Sequence, residues 1–465
     1  VEATELAFAG ISRQAALVRS GEVSPRELVE LYLARIARLD PVLNAFRVVF
    51  AERALTEADE AAARRGDDDR PLLGVPIAVK DDVDVAGEVT ARGTGAYGAA
   101  ASQDSEVVKR LRAAGAIVIG KTHLPELGIS GFTESATWGV TRNPWNQERT
   151  PGGSSGGSAV AVAAGLAGAG TASDGAGSIR IPAACCGLFG LKPQRGRVSL
   201  APRREHWHGL SVLGCLTRTV LDSALFHDLV MGGMPGDATV ARQPERPFRE
   251  AARTRTDGLR IAYSVKPIIP APVADDVRGA VEGTAELLRS LGHEVRERDP
   301  AYGAIANNVL PRFLRGIRDD ALAMPKPERL ERRTRGFARL GRLFSPAALA
   351  RARAAEAAHA ARINELFEDH DVLMTPVSAR PPVEVGRWEG LGALRTLLGM
   401  SAVYPFTSPW NAIGQPAAAL PAGFTGDGLP LSVQLVGRPN DEPTLLSLAA
   451  EVEAERPWAD RRPPL

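Results

Sequence analysis

The chain has 465 residues, with 56 Lys plus Arg against 55 Asp plus Glu and a formal net charge of +1. That length suits one large domain or two to three ordinary ones and a substantial core, while the even charge balance gives no electrostatic footprint for nucleic acid or an anionic membrane as partner. Its 3 cysteines, Cys185, Cys186 and Cys215, make no disulfide framework and point to a reducing, cytoplasmic setting, and no apolar run approaches membrane-spanning length.

Ser24-Pro25-Arg26-Glu27 is a capping box with Pro at the first helical position. Leu28, Leu31, Tyr32, Ile36 and Leu39 recur at helical spacing, and Asp40-Pro41 is expected to end that helix. A charged, Ala-rich helix is expected over about residues 51–65. Val75-Pro76-Ile77-Ala78-Val79 reads as a buried strand, residues 106–114 as a helix and Ala116-Ile117-Val118-Ile119 as a strand. This alternation argues for an α/β core. Residues 151–178 are rich in Gly, Ser and Ala and carry no charge before Asp174. They are expected to be buried, since a flexible Gly/Ser linker would be polar throughout. Residues 240–260 are charged and irregular, 272–291 helical, His293-Glu294-Val295 strand-like, and 315–370 read as long helices. Strand texture returns at residues 372–376 and 431–436. The expected organisation is one α/β unit over residues 1–465 with a helical insertion at about 240–370.

Three motifs match chemistry by their letters only. Residues 115–122 fit the phosphate-loop pattern, but Ala116-Ile117-Val118-Ile119 favours a buried strand over a loop of converging N–H groups. Residues 152–156 fit G-x-S-x-G, yet Asn143-Pro144 and Thr150-Pro151 make the preceding segment a turn-rich loop instead of the strand a nucleophile elbow needs. His206-Trp207-His208 has no further Cys, His or acid at ligand spacing and reads as an exposed pair, not a metal site.

The chemistry concentrates in residues 150–199. One Gly/Ser cluster holds Ser154 and Ser155, and a second is Asp174-Gly175-Ala176-Gly177-Ser178. Gly and Ala let backbone approach a ligand closely, and consecutive N–H groups in such a turn can meet one oxyanion. A Ser at its end is placed to attack the carbonyl those groups polarise. Upstream, Lys80 follows an apolar strand, where desolvation lowers the lysine pKa and makes the neutral amine available as a base. Each residue also has a bland reading: Lys80 as ion-pair partner of Asp81 or Asp82, Ser154 as a helix cap, Ser178 as a turn residue bonded to its own backbone.

Taken together, these segments resemble the amidase signature family. The resemblance is carried by GGSSGGS at 152–158, GSIRIP at 177–182, Cys186-Gly187 with Gly190-Leu191-Lys192-Pro193, and Gly196-Arg197-Val198-Ser199. Gly74 to Lys80-Asp81, Gly120-Lys121-Thr122, residues 141–146, Arg218-Thr219-Val220 with Asp222, Asn411 and Gly414-Gln415-Pro416-Ala417 match as well, so the likeness runs from about residue 10 to 455. It implies a large twisted mixed β-sheet with α-helices on both faces, and a Ser–cis-Ser–Lys triad: Lys80 the base, Ser154 the bridging serine after a cis Gly153-Ser154 bond, Ser178 the acylated nucleophile. Backbone N–H groups of Gly175, Ala176, Gly177 and Ser178 would form the oxyanion hole. No metal or organic cofactor is implied. Arg180 is read as structural, pairing with Asp174, and Cys186 as buried packing; Cys185 has no assigned role.

The sequence departs from the family pattern in places. Many members read G-T-D-T-G-G-S-I-R where this chain has Ala172-Ser173-Asp174-Gly175-Ala176-Gly177-Ser178, so Ala176 must need no Gly-only torsion. Asp82 stands where many have Asn, and Gln194 where Thr is usual. These changes argue against the glutaminase subunit of tRNA-dependent amidotransferases, and the lack of an N-terminal hydrophobic anchor argues against membrane-bound fatty acid amide hydrolases. Expected pocket residues are Leu127, Ile129, Ser130, Phe132, Trp138, Trp207, Tyr404, Phe406 and Trp410. Their apolar character favours a small aryl or alkyl amide as substrate. Carbamates and esters fit the same acyl-enzyme scheme, and a partner-dependent or inactive binding subunit is the reading from another class. Monomer and homodimer both stay open.

Overall fold

The computed structural model describes residues 2–64, 66 and 68–465. Among the described residues thirteen strands form, β1 (Phe46–Val49), β2 (Pro76–Lys80), β3 (Ile117–Thr122), β4 (Glu134–Ser135), β5 (Gly139–Val140), β6 (Gly170–Asp174), β7 (Phe189–Lys192), β8 (Val212–Thr217), β9 (Arg260–Tyr263), β10 (Glu294–Glu297), β11 (Val372–Pro376), β12 (Ala417–Phe424) and β13 (Pro430–Gly437). β4 and β5 pair only with each other; the rest make one 11-stranded sheet in the order β1-β3-β2-β6-β8-β7-β12-β13-β11-β9-β10. The sheet is mixed: β2 runs parallel to β3 and β6, while β6, β8, β7, β12, β13 and β11 succeed one another antiparallel.

Side-chain alternation along the strands shows why both faces are covered. Ala78 joins one core cluster while its neighbours Ile77 and Val79 join another. Ala417, Ala419 and Leu373 face the first cluster, and Ala418, Leu420, Val372 and Met374 the opposite face. With period-two geometry, a strand buried on both sides must be apolar throughout. On the first face the strands carry small residues, Ala78, Ala172, Ala417 and Ala419. Against that shallow surface lie two short helices, Gly156–Ala163 and Arg180–Cys186, in which every residue is buried. The first of them lies within residues 151–178, the Gly/Ser/Ala stretch expected to be interior.

Several expected boundaries move. The capping box at Ser24 forms as read, but its helix continues past Asp40-Pro41 to Leu43, where Asn44 closes it at φ 51°. Asp40 turns its carboxylate to the Ala45 N–H at 2.6 Å. The Ala-rich helix spans Ala51–Ala63; its expected end at Arg65 lies outside the described residues. The phosphate-loop look-alike is β3, buried along its whole length. Residues 240–370 divide: β9 and β10 add two strands to the sheet edge, with the helix Asp275–Ser290 between them, and the helices from Ala306 to Asp369 form a separate helical stretch. Among the described residues no helix is long and apolar enough to cross a membrane.

Candidate active site

Lys80 is the last residue of β2 and is fully buried, as is Ser154 to within 2%. Its backbone N–H is anchored to Thr171 Oγ1 on the neighbouring β6 at 2.9 Å, and its Nζ lies 2.8 Å from Ser154 Oγ and 2.7 Å from Ser173 Oγ. The ion pair with Asp81 does not form. Asp81 instead meets Arg47 at 2.7 Å and Lys121 at 2.8 Å, and Lys80 has Asp82 at 3.3 Å. Burial pushes the Lys80 ammonium below its ordinary range, with Asp82 and then Asp174 opposing that shift.

Ser154 sits in the loop before the helix Gly156–Ala163, and the Gly153-Ser154 peptide bond is cis. The loop has no room for side chains. A Cβ on Gly153 would fall 2.7 Å from both Phe132 N and Ser130 O, and one on Gly156 would fall 2.1 Å from Thr133 Oγ1. Residues 141–153 hold no strand, so Ser154 lacks the strand-to-helix turn of a nucleophile elbow, as the turn-rich segment implies.

Ser178 closes the turn between β6 and the helix Arg180–Cys186 and is half-buried. The positive torsion in this turn falls on Gly177, at φ 131°, so Ala176 sits where a Cβ is tolerated. Asp174 organises the turn. Its Oδ1 accepts from Gly177 N–H at 2.6 Å and its Oδ2 from Ile179 N–H at 3.2 Å. The Gly177 N–H, expected among the oxyanion donors, is therefore engaged by a carboxylate. Arg180 pairs with both Asp174 oxygens at 3.0 Å and reaches Gln434 Oε1 and Asn411 Oδ1; Asn411 donates back to Asp174 Oδ1 at 2.8 Å. Burial alone would raise the Asp174 carboxyl, but the Arg180 guanidinium, with Lys192 and Asn411, outweighs it and holds the group at about 2.

With this geometry the sequence relationships can be set beside the structure. Residues 27–446 match the amidase family. The chain belongs to the amidase signature family. It is 53% identical over 467 residues to the putative amidase AmiB2 of Mycobacterium tuberculosis (strain ATCC 25618 / H37Rv), covering 100% of this chain and 99% of that protein. It is 34% identical to the 6-aminohexanoate-cyclic-dimer hydrolase of Paenarthrobacter ureafaciens, over 97% of this chain and 96% of that one. A solved structure of 6-aminohexanoate cyclic dimer hydrolase complexed with substrate superposes with TM-score 0.91 at 32% identity, covering 98% of this chain and 99% of the other. The peptide amidase of Stenotrophomonas maltophilia superposes with TM-score 0.81 at 28% identity, covering 98% of each.

In this amidase-family chain Ser178 opens into a cavity of about 290 Å³. Of the expected pocket residues Ile129, Ser130, Trp207 and Tyr404 line it, as does Ala176. The others do not. Phe132 is fully buried, stacked on Trp388 at 4.6 Å. Trp410 is fully buried beside Tyr302 and donates its Nε1–H to Phe406 O, and Phe406 is itself core. Trp138 packs on Tyr97 and under the Arg47 guanidinium. Leu127, held at φ 52°, lines a second cavity instead. Aromatic residue type alone does not separate core from pocket. The residues that sequence reading missed, Ile268, Val309, Leu310, Phe313, Leu398 and Met400, come mostly from the helices Ala306–Ala323 and Ala393–Val403. Gly128 joins the two serines: it lines the same cavity as Ser178, and a Cβ on it would lie 3.3 Å from Ser154 Oγ.

The second cavity, about 250 Å³, lies beyond Ser173 and Asp82, with the charged or polar side chains Arg92, Arg203, His206 and Asp320 among its walls. His206 and His208 are not the exposed pair expected. His206 bridges Ser211 and Asp320 at 2.9 and 2.8 Å, and His208 lies 3.1 Å from Asp319. Among the described residues no group of three His, Cys, Asp or Glu side chains gathers to hold a metal. Cys186 is buried against Pro151 O, and burial pushes the Cys185 thiol up to about 12.

Proposed function

We propose that this chain hydrolyses the amide bonds of small molecules with an apolar acyl group, through an acyl-enzyme on Ser178. The observation that carries the reading is the buried Lys80–Ser154 contact of 2.8 Å beside a cavity that Ser178 lines. Neutral Lys80 takes the Ser154 hydroxyl proton as Ser154 takes that of Ser178. Ser178 Oγ bonds to the carbonyl carbon, and the oxygen that becomes negative meets the N–H groups of Gly175, Ala176 and Ser178, the turn donors not engaged by Asp174. The relay then returns the proton to the amide nitrogen, the C–N bond breaks and the amine leaves. Water enters and its oxygen bonds to the acyl carbon as its proton passes to the same relay; the acyl C–Oγ bond then breaks, Ser178 Oγ takes the proton back and the acid leaves.

The apolar lining from Ile268, Val309, Phe313 and Met400 favours aryl or alkyl acyl groups. The relatives, a putative amidase, a 6-aminohexanoate-cyclic-dimer hydrolase and a peptide amidase, support C–N bonds as the target.

The test is a panel of primary amide, anilide, ester and aryl carbamate sharing one acyl or aryl group, run with wild type and Ser178→Ala. Turnover of amide or anilide, abolished in the variant, is the expected result. Carbamate turnover above amide would move the assignment to a urethanase. Silence across the panel, with no fluorophosphonate adduct on Ser178, would replace it with a binding or partner-dependent subunit.

A further inference from the structure

Lys80 Nζ touches two hydroxyls, and they are not equivalent. Ser154 Oγ lies on the side of the cavity that Ser178 lines. Ser173 Oγ lies on the other side and donates its own proton to Asp82 Oδ2 at 2.6 Å. Ionised carboxylate can only accept, so this bond fixes the direction of the chain: Ser173 has no proton left for Lys80 and must accept one from it, at 2.7 Å. A neutral amine that donates to Ser173 keeps its lone pair for Ser154, which is the orientation a base needs. Asp82 also stands 3.3 Å from Nζ directly.

We infer that Asp82, acting through Ser173, is a positioning residue that orients Lys80 and sets how basic it is; this rests on the proposed role of Lys80 as base. The family pattern has Asn in many members at this position. Asn would match Asp82 in size and could accept the same Ser173 proton, but it lacks the charge and carries an NH₂ group that could reverse the chain. What Asp adds is a fixed negative charge beside the ammonium that forms whenever Lys80 takes a proton.

The surrounding charges keep Asp82 ionised. Lys80 faces Asp82 and, farther off, Asp174, which is already answered by Arg180. Across the second cavity Asp82 faces Arg203 and Arg92, neither of which has an ion-pair partner within 4.0 Å among the described residues, with Asp84 on the same wall. Asp320 there is engaged by His206 and Trp207, and burial depresses His206 despite that carboxylate. Burial would raise the Asp82 carboxyl, but Lys80, Ser173 and Arg203 outweigh it.

The sign of the effect follows. Removing the charge favours the neutral amine, so activity should persist to lower pH, while the amine becomes a weaker base at the plateau. The experiment is the pH dependence of kcat/KM for wild type, Asp82→Asn, Asp82→Ser and Ser173→Ala, on whichever amide wild type turns over, with thermal melts to show each variant folded. For Asp82→Asn and Asp82→Ser the acidic limb should move down by about one unit or more, since an opposite charge this close shifts a pKa by roughly one to three units, and the plateau kcat should fall. Ser173→Ala keeps the direct Asp82 contact and should lower the plateau with a smaller shift. Limbs of both Asp82 variants that superpose on wild type, or move upward, would overturn the inference. Failure of the triad itself reads out separately, as turnover that survives Ser178→Ala.

Discussion

Lys80 Nζ and Ser154 Oγ lie 2.8 Å apart, with both side chains withdrawn from solvent. Ser154 makes a stringent test of the proposed relay because its removal leaves the nucleophile, the base and the oxyanion turn in place. Ser154→Ala should lower kcat by about 10²–10⁴-fold, the usual range for lost general acid–base transfer, with little change in KM. The rate of fluorophosphonate labelling at Ser178 should drop in parallel. Labelling at the wild-type rate would mean that Ser178 is activated without Ser154.

The protonation of Lys80 also sets the shape of the wild-type profile. In the proposed relay the active form is the neutral amine, so kcat/KM should rise with pH. Burial holds the Lys80 pKa below the ordinary lysine value of 10.5, so the midpoint of the rise should fall below that value. A rate that decreases with pH across neutrality would contradict a lysine base.

Arg180 and Asp174 are both fully buried and share two 3.0 Å contacts. Arg180→Ala should destabilise the fold by about 3–5 kcal/mol, because it strands a buried carboxylate. The acid dependence has a definite sign. The folded-state pKa of Asp174 is about 2, below the ordinary 3.8. The pair's stabilisation is therefore complete above the ordinary value and is lost as pH falls from 3.8 through about 2. Urea melts of wild type and Arg180→Ala between neutral pH and pH about 2 should converge at the acid end.

How much of this was legible before the structure differs from residue to residue. Lys80, Ser154 and Ser178 could be singled out as candidates because ordered motifs surround each of them, and Arg180 could be matched to Asp174 because they lie in one short turn. The strand β6, Gly-Thr-Ala-Ser-Asp, had no alternating apolar signal to mark it, since its burial comes from small residues under a helix. Asp82 was visible as a departure from the family pattern, but its partner Ser173 lies 91 residues away and only the pairing of β2 with β6 brings them together. The N–H of Gly177 looked available until the side chain of Asp174 was seen to reach it.

Gly175 tests the proposed oxyanion turn without altering a side chain of the proposed relay. Its backbone torsion is ordinary, but a Cβ there would fall 2.6 Å from Trp207 Cε3 and 3.2 Å from Ser211 Oγ. Gly175→Ala should displace either the turn or Trp207. Because the oxyanion donors act mainly in the transition state, the loss should appear in kcat, on the order of 10²-fold if one donor is misplaced. A variant with wild-type kcat would show that Trp207 can yield without disturbing the turn.

Phe313 and Trp410 separate specificity from stability. Phe313 lines the cavity that Ser178 faces and meets Trp207 edge-on at 5.0 Å. Trp410 is fully buried beside Tyr302, with its indole N–H bonded to Phe406 O, and does not line that cavity. Phe313→Ala enlarges the cavity, so kcat/KM should rise for bulkier acyl groups relative to small ones. The change in preference should be roughly 10–200-fold, the range that one or a few methylenes give in an apolar pocket. Trp410→Ala leaves a hole in the core and should cost about 3–5 kcal/mol of stability while the ranking of acyl groups stays as in wild type. Measuring a melt and an acyl-chain series on both variants decides the matter. A reversed pattern, with Trp410→Ala reordering substrates and Phe313→Ala only lowering the melting temperature, would place the acyl group against Trp410 instead of in the cavity that Phe313 lines.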